Sequence, residues 1–411
     1  MAASSSTGYS DGLFAVAPMM DYTNQYLRFL LRTLTRRSTL YTEMVTANTL
    51  VHCGPSELSR FLGHEGAAGS VESPLVLQIG GSEPAKLQRA AAIAEDWGGF
   101  SALNLNCGCP SDRVAGAGCF GAALMRSPEL VAGCCEAMAD GSKGALPITV
   151  KCRIGVTEDR AAAATVDDAR TYDELAAFVD AVSSRAPVRS FQVHARKAVL
   201  GGLSPAQNRQ IPPLRYGLVR RLAAEFPHLR FSLNGGVETL DEAVHELTPR
   251  PGEAGLAGVM LGRAVIGRPW EFARVDSTIY GEAADPARCR REVLEAYCDY
   301  AEACEASTPQ RIRTLLLAPP LNLFAAEPNG RRWRRAVDTY ARDRSLTAAA
   351  VLRAAAAESL RDDTLDAPPG VLFDPFEKAY VEKAVETAPA HAVPVSSRVP
   401  ESGALRVAAA E

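Results

Sequence analysis

The stretch PITVKCRIG, residues 147–155, decides the fold. A short apolar, β-branched run ends there in a polar, glycine-containing turn, and runs of this kind are typical of β-strands. The same unit recurs along the chain, with helical patterns between the runs. The eight runs are LFAVAP (13–18), LYTEMV (40–45), PLVLQI (74–79), SALNL (101–105), PITVKC (147–152), SFQVH (190–194), RFSLN (230–234) and AGVML (257–261).

Strands that alternate with helices predict parallel pairing through right-handed crossovers. Eight such units within about 260 residues are the expected size of a (β/α)8 TIM barrel. The alternative is a doubly wound open sheet, which would need a glycine fingerprint after its first strand. The segment APMMDYT at 17–23 is not such a fingerprint. The sequence therefore predicts an α/β barrel.

The chain divides by pattern into four parts. A short N-terminal segment, 1–11, precedes the barrel, which we expect to span 12–284 and to carry a loop insertion at 157–171. Helix-like composition without strand runs predicts a C-terminal helical domain over 285–361, with helices at 286–306, 311–325, 330–342 and 346–361. The acidic tail, 362–411, is rich in proline and alanine, and we expect it to be disordered apart from a short helix at 374–387.

Composition narrows the class of protein. No window approaches 18 consecutive uncharged apolar residues, so no membrane association is expected. The N-terminal MAASSSTGYSDG lacks the basic and apolar regions of a secretory signal. We therefore expect a monomeric cytoplasmic protein, with chloroplast and mitochondrion left open. The ten cysteines include no C-x-x-C pair, which predicts free thiols and no metal site.

The charge is unevenly distributed. The chain carries a net charge of −4, whereas its last fifty residues alone carry −5. Residues 189–230 contain eight bases against one acid, and residues 311–335 contain six arginines against one acid. These two basic stretches could form one anion-binding face. The alternative is ordinary solvated surface charge.

Polar clusters follow the predicted strands, and in a parallel barrel they meet at the C-terminal rim, where barrel active sites are built. The loops after strands seven and eight, Asn234-Gly235-Gly236 and Gly262-Arg263, are typical of phosphate binding. Lys151, His194 and Gln78 end three further strands and together suit a flavin. Taken singly, each of these residues could have a purely structural role, such as a lysine that snorkels to solvent or a histidine with hydrogen-bond partners at the rim.

Cys109 follows the fourth strand in the loop Asn104-Leu-Asn-Cys-Gly-Cys-Pro-Ser. Glycine and proline sharpen that loop, so we expect Cys109 at the barrel mouth and Cys107 buried or turned away. A cysteine there could be a nucleophile, a metal ligand or an acid. With neither a metal cluster nor a His–Asn dyad apparent, a general acid beside a flavin is the remaining candidate.

The ordered motifs APMMDYTN, LYTEMV, LQIGGS, LNLNCGCPSDRV, TVKCRIG, HARKAVLGGLSP, LNGG and VMLGR resemble the tRNA-dihydrouridine synthases. The likeness spans about residues 12–345. The stretch HARKAVLGGLSPAQNRQIPPL with the later RRWRR is similar to the A-type subfamily, which acts on uridine 20 and often 20a of the D-loop. The resemblance implies a flavin-bearing barrel with a helical domain that reduces the C5=C6 bond of uridine in tRNA, using FMN and NADPH.

The resemblance also implies roles for individual residues. Cys109 matches the proton-donating cysteine, and Asn106 matches the asparagine that contacts the target uridine. The positions that match FMN contacts are Pro18, Met19, Met20, Gln78, Lys151, His194, Asn234, Gly235, Gly236, Gly262 and Arg263. The positions that match tRNA contacts are Ala206, Arg209, Arg331 and Arg334. Ala206 departs from the longer polar or basic residue usual there.

Two rival functions use the same features. A flavin barrel acting on a free pyrimidine or a dihydroorotate-like molecule would share the flavin loops, but it would not need the arginines at 331–335. A catalytically silent tRNA-binding protein would not need Cys109 together with Lys151.

Overall fold

The computed structural model describes residues 12–63, 72–111, 120–161, 167–307, 312–374 and 379–382. The predicted segment 1–11 and the tail beyond 382 lie outside these residues. All eight predicted strands are present. They are β1 (Phe14–Val16), β2 (Thr39–Tyr41), β3 (Leu75–Gly80), β4 (Ala102–Cys107), β5 (Ile148–Arg153), β6 (Val188–His194), β7 (Arg230–Asn234) and β8 (Gly258–Leu261).

The strands form a closed parallel barrel, which confirms the predicted fold class. Each strand pairs with its neighbours in chain order, β1 pairs with both β2 and β8, and the β2–β3 pairing completes the ring. Val45–Thr46 adds a short pairing to β3. Val156–Thr157 and Ala198–Val199, which follow β5 and β6, form a second small parallel pair.

Helices connect the barrel strands on the outside, and two more follow the last strand. They are α1 (Gln25–Leu34), α2 (Ala47–His52), α3 (Pro55–Leu62), α4 (Pro84–Trp97), α5 (Pro128–Gly141), α6 (Asp168–Arg185), α7 (Tyr216–Glu225), α8 (Leu240–Leu247), α9 (Arg263–Gly267) and α10 (Val275–Tyr280). Helix α6 begins at Asp168, inside the loop insertion expected at 157–171, and residues 162–166 lie outside the described chain.

Side-chain alternation along the strands builds two separate cores. Leu77, Leu103 and Val150 are fully buried in the large cluster between the strands and the helices. Their strand neighbours point the other way, as the pleat requires. Val76 and Ala102 belong to the smaller cluster within the barrel, together with Ala15, Ala17, Tyr41 and Met260. This apolar plug fills the base of the barrel and leaves the upper interior to polar side chains.

Five further helices follow the barrel, where four were predicted. They are α11 (Arg290–Ser307), α12 (Arg313–Leu317), α13 (Gly330–Tyr340), α14 (Ala348–Ser359) and α15 (Asp362–Asp366). The helix expected over 311–325 is shorter, because Pro319 and Pro320 lack the N–H groups that would continue it and begin a 3-10 turn instead. The ring of Tyr300 on α11 stacks on Phe29 of α1 with 3.8 Å between centroids, which seats the helical bundle against the barrel.

The start of the tail is ordered, which corrects the expectation of a disordered segment from 362 onward. The helix expected at 374–387 is also wrong for the residues described, because Val371–Asp374 and Ala379–Glu382 pair as an antiparallel hairpin. The Tyr380 hydroxyl donates to Glu327 Oε2 at 2.7 Å, so tertiary contacts hold this segment in the extended form. Across the described ranges, no helix has the length and apolar character needed to cross a bilayer.

Candidate active site

The upper interior of the barrel holds a network of amide side chains. Gln78 Nε2 donates to Asn104 Oδ1 at 2.7 Å, and Asn106 Nδ2 donates to Gln78 Oε1 at 2.9 Å. Asn104 Nδ2 in turn donates to Gln192 Oε1 at 2.9 Å. Alternate residues along a strand point to the same side of the sheet. The two-residue spacing of Asn104 and Asn106 on β4 was therefore the sequence signal for this network. Gln78 therefore lies buried in the upper interior of the barrel, in a fixed orientation.

Lys151 lies in the same interior at the end of β5. Its Nζ donates to Asn234 Oδ1 at 2.9 Å, and Asn234 Nδ2 donates to Met260 O at 2.7 Å. Burial first, and then the nearby Arg153 guanidinium, lower the pKa of Lys151 to about 8. At neutral pH the ammonium is thus charged, and two of its three hydrogens remain for a ligand.

His194 ends β6 next to Asn234 of β7. Its Nδ1 is buried without a hydrogen-bond partner. Burial, followed by the positive charges of Arg153, Lys151, Arg196 and Arg263, lowers the pKa of His194 well below its usual value. The imidazole is therefore neutral at pH 7, and it offers a buried nitrogen to whatever occupies the mouth.

The turn after β7 requires its two glycines. Gly235 and Gly236 have φ angles of 103° and 84°, which L side chains rarely adopt. A Cβ at Gly235 would lie 3.0 Å from the His194 ring, and one at Gly236 would lie 2.4 Å from Leu214 Cδ1. The Tyr216 hydroxyl also donates to Gly235 O at 2.6 Å. The turn is thus held rigid and leaves its backbone open beside His194.

The loop carrying Cys109 is tied down from two sides. Asn106 Oδ1 accepts from the backbone N–H groups of Gly108 and Cys109, both at 3.0 Å. The Ala122 N–H donates to Cys109 O at 2.9 Å. Cys109 is half-buried, whereas Cys107 is fully buried and burial raises the pKa of its thiol well above the usual value. The expectation that Cys107 is buried or turned away is confirmed, because its side chain is fully buried.

Arg153 is a site residue that the sequence reasoning missed. Its Nε donates to Gly108 O at 2.9 Å, and its Nη1 donates to Lys197 O and Asn208 O, each at 3.1 Å. It joins the cysteine loop to the loop after β6. Its spacing of two from Lys151 was the available signal, because residues i and i+2 of a strand share a face.

The loop after β1 forms another part of the rim. Pro18 and Met19 are half-buried and Met20 is exposed. Met19 Sδ lies 3.1 Å from the position that a Cβ on Gly262 would take, so Met19 packs against the loop after β8. A second residue missed from sequence, Glu43, accepts the backbone N–H of Asp21 at 2.6 Å.

The predicted tRNA-contacting residues fall on two elements. Ala206 is exposed, and half-buried Arg209 follows it in the loop after β6. Arg331 and Arg334 are exposed on α13. No hydrogen bond joins the two groups within the described ranges, so the structure does not bring them into direct contact.

An indirect link runs from α13 to the barrel rim. Arg334 Nη1 donates to Asn322 Oδ1 at 3.5 Å, and Asn322 Nδ2 donates to Ile266 O of α9 at 3.0 Å. Helix α9 begins at Arg263, which is exposed at the rim. Within the described chain, no group of three or more His, Cys, Asp or Glu side chains could hold a metal ion.

Comparison with known proteins agrees with this geometry. The profile of the dihydrouridine synthase (Dus) family matches residues 15–359. The chain is 42% identical over 329 residues to the tRNA-dihydrouridine(20/20a) synthase of Xanthomonas campestris pv. campestris, a match that covers 80% of this chain and 88% of the relative. It is 41% identical over 327 residues to the protein of the same name from Escherichia coli K12, covering 79% of this chain and 85% of the relative. By these matches, the chain belongs to the dihydrouridine synthase family.

Proposed function

We propose that this protein reduces the C5=C6 bond of uridine at positions 20 and 20a of tRNA, with FMN as its cofactor and NADPH as its reductant. The observation that carries the proposal is the fixed loop of Cys109, whose backbone is held by Asn106 beside the mouth that contains Lys151 and His194. The position numbers follow the name of the relatives from X. campestris and E. coli.

The residues of the mouth fit FMN. The unpartnered Nδ1 of His194 and the two free hydrogens of Lys151 suit the polar edge of a flavin, and Asn104 and Asn106 hold the amide of Gln78 in one orientation beside them. Gly235 and Gly236, with Gly262 and Arg263, would hold the phosphate through backbone N–H groups and one guanidinium. Four cations, Arg153, Lys151, Arg196 and Arg263, lie near His194, and this concentration of positive charge favours an anionic cofactor.

Bound in this mouth, FMN would supply hydride chemistry, taking hydride from NADPH and delivering it to C6 of the uridine. The protein must then provide a proton at C5, and Cys109 is the acid that the loop presents. Lys151 and Arg153 both lie near Cys109, which places this acid beside two cations. A positioned general acid of this kind contributes about 10²–10⁴-fold to the rate.

The basic residues support tRNA rather than a free pyrimidine as the substrate. Arg209 lies near Arg263, and the path from Arg263 through α9 and Asn322 leads to Arg334. A row of cations from the barrel rim to α13 matches a row of phosphates, whereas a free base would need none of it. We assign the chemistry to the barrel, 12–284, and additional tRNA binding to the helical domain, 285–361.

The state of the cysteines agrees with the expected location in the cytoplasm. All nine cysteines in the described parts of the chain are free thiols, which suits a reducing compartment such as the cytoplasm.

The proposal is tested with purified protein, FMN, NADPH and an unmodified tRNA transcript. We expect about one FMN per chain and dihydrouridine in the product by mass spectrometry. Cys109→Ala should retain FMN and tRNA affinity while the reduction slows by about 10²–10⁴-fold. Cys107→Ala is the matched control, because the buried thiol two residues away should be dispensable for the chemistry. A folded protein that takes up no FMN, or a crippled Cys107 variant with an active Cys109 variant, would contradict the proposal.

A further inference from the structure

The loop after β1 exposes two large apolar side chains at the barrel rim. Met20 is 54% exposed and Tyr22 is 53% exposed, the two highest values among the large apolar side chains in the described ranges. A single exposed apolar residue needs no explanation, whereas two in one short loop beside a reaction site point to a surface that binds something.

This loop is rigid. The backbone N–H groups of Tyr22 and Thr23 donate to Met19 O at 3.2 and 3.0 Å, and the Met19 N–H donates to Thr23 Oγ1 at 3.0 Å. Asp21 has a φ of 66°, and its N–H is held by the Glu43 carboxylate. A non-glycine residue keeps such a conformation only where its surroundings impose it. Tyr22 is therefore held out at the rim instead of collapsing onto the barrel.

Tyr22 lies near Arg209 of the loop after β6. Burial and the nearby Arg263 lower the pKa of Arg209, while Cys109 and Tyr22 are close enough to oppose that shift. Tyr22 and Cys109 thus lie near the same guanidinium. An aromatic ring beside a guanidinium offers one site for a flat base and another for an adjoining phosphate.

We propose that Tyr22 is a stacking platform for an unpaired tRNA base next to the uridine that is reduced. This inference rests on the proposed function and adds a base-binding subsite to it. A uridine turned out of a folded loop leaves its neighbours unstacked, and a preorganised aromatic ring compensates for part of that loss. Stacking tolerates any base, so Tyr22 would anchor the flanking nucleotide without selecting its identity.

The test compares steady-state kinetics of the FMN-loaded enzyme on tRNA transcripts. Tyr22→Ala should raise the KM for tRNA or its Kd by roughly 5- to 150-fold, the range expected when one stacking ring is removed. Tyr22→Phe keeps the ring and should behave as the wild type. Leu130→Ala, which removes another exposed apolar side chain, 37% exposed on α5, should also leave the KM unchanged. NADPH oxidation without tRNA should be the same in all four proteins.

Transcripts with one abasic nucleotide beside the target identify the partner directly. If Tyr22 stacks on that base, the wild-type enzyme should lose affinity for the abasic transcript, and the difference between wild type and Tyr22→Ala should disappear on it. The inference is overturned if Tyr22→Ala keeps the wild-type KM, or if its defect persists with abasic nucleotides at each flanking position. A wild-type enzyme that forms no dihydrouridine would instead overturn the proposed function.

Discussion

Replacing Arg153 by methionine tests whether the hydrogen bonds of its guanidinium position the loop that carries Cys109. The substitution keeps much of the side-chain volume but removes the donors to Gly108 O, Lys197 O and Asn208 O. Hydrogen bonds from a charged donor contribute about 1.5–3 kcal/mol each. Burial lowers the pKa of Arg153 to about 10, a sign that burying its charge already costs stability. Arg153→Met should therefore lower the free energy of unfolding by about 2–4 kcal/mol, which is less than the sum of three such hydrogen bonds.

The effect on catalysis should exceed the effect on folding. A displacement of about 1 Å at a reacting group can cost about 10²-fold in rate, and Gly108 is adjacent to Cys109. The assay is single-turnover reduction of tRNA by the pre-reduced enzyme, at a temperature at which thermal melting shows the variant to be folded. We expect a rate about 10²-fold lower with FMN still bound.

Two further variants separate the possible causes. Arg189→Met is the matched control, because Arg189 also donates to backbone carbonyls, those of Ser183 and Val188, but at the start of β6 and away from the rim. It should reduce the rate very little. Arg153→Lys retains the charge without the guanidinium fork and should remain slow. Full activity in Arg153→Lys would show that only the charge matters, and full activity in Arg153→Met would refute the positioning role altogether.

The remaining predictions concern the cofactor, the domain junction and the tRNA. The affinity for FMN should fall by at most about tenfold per pH unit as the pH rises above about 8. The reason is that Lys151 loses its proton in the free protein above this pH, whereas a bound anionic cofactor keeps the ammonium protonated. The FMN affinity of Lys151→Arg, measured by equilibrium titration, should not change over this range. Glu327→Gln leaves the buried Arg290 guanidinium without its carboxylate and should destabilise the fold by about 3–5 kcal/mol, measured by denaturant unfolding; an unchanged midpoint would mean that this ion pair stabilises nothing. Replacing Arg331 and Arg334 together by alanine should weaken tRNA binding and flatten its salt dependence by about one unit per lost contact, with tRNA-independent NADPH oxidation unchanged; wild-type affinity and slope at low salt would indicate a merely solvated helix face.

The barrel was predictable because its signal is local and repeated. Each apolar run is closed by a polar turn, and the period of the pattern alone implies parallel strands with helices between them. The cysteine loop was predictable for the same reason, since Gly108, Cys109 and Pro110 follow β4 directly and Asn106 lies three residues before Cys109. The conformation of so short a segment depends on only a few consecutive residues.

The parts that sequence reasoning missed depend on partners far along the chain. The spacing of Arg153 from Lys151 indicates only a shared strand face, whereas its hydrogen bonds to the carbonyls of residues 108, 197 and 208 follow from no local pattern. The hairpin after 371 has helix-like composition, yet its Tyr380 reaches Glu327, and Phe373 and Tyr380 pack edge-to-face with 5.4 Å between ring centroids. Tertiary contacts override weak local propensity in such segments.

The central claim is that this chain reduces specific uridines of tRNA through Cys109. The most direct test is to map dihydrouridine in the tRNA of cells that lack this protein and then express either the wild type or Cys109→Ala. We expect positions 20 and 20a to carry uridine without the protein, to regain dihydrouridine with the wild type, and to remain uridine with Cys109→Ala at equal protein levels. Dihydrouridine that is unaffected by loss of the protein, or restored fully by Cys109→Ala, would contradict this claim.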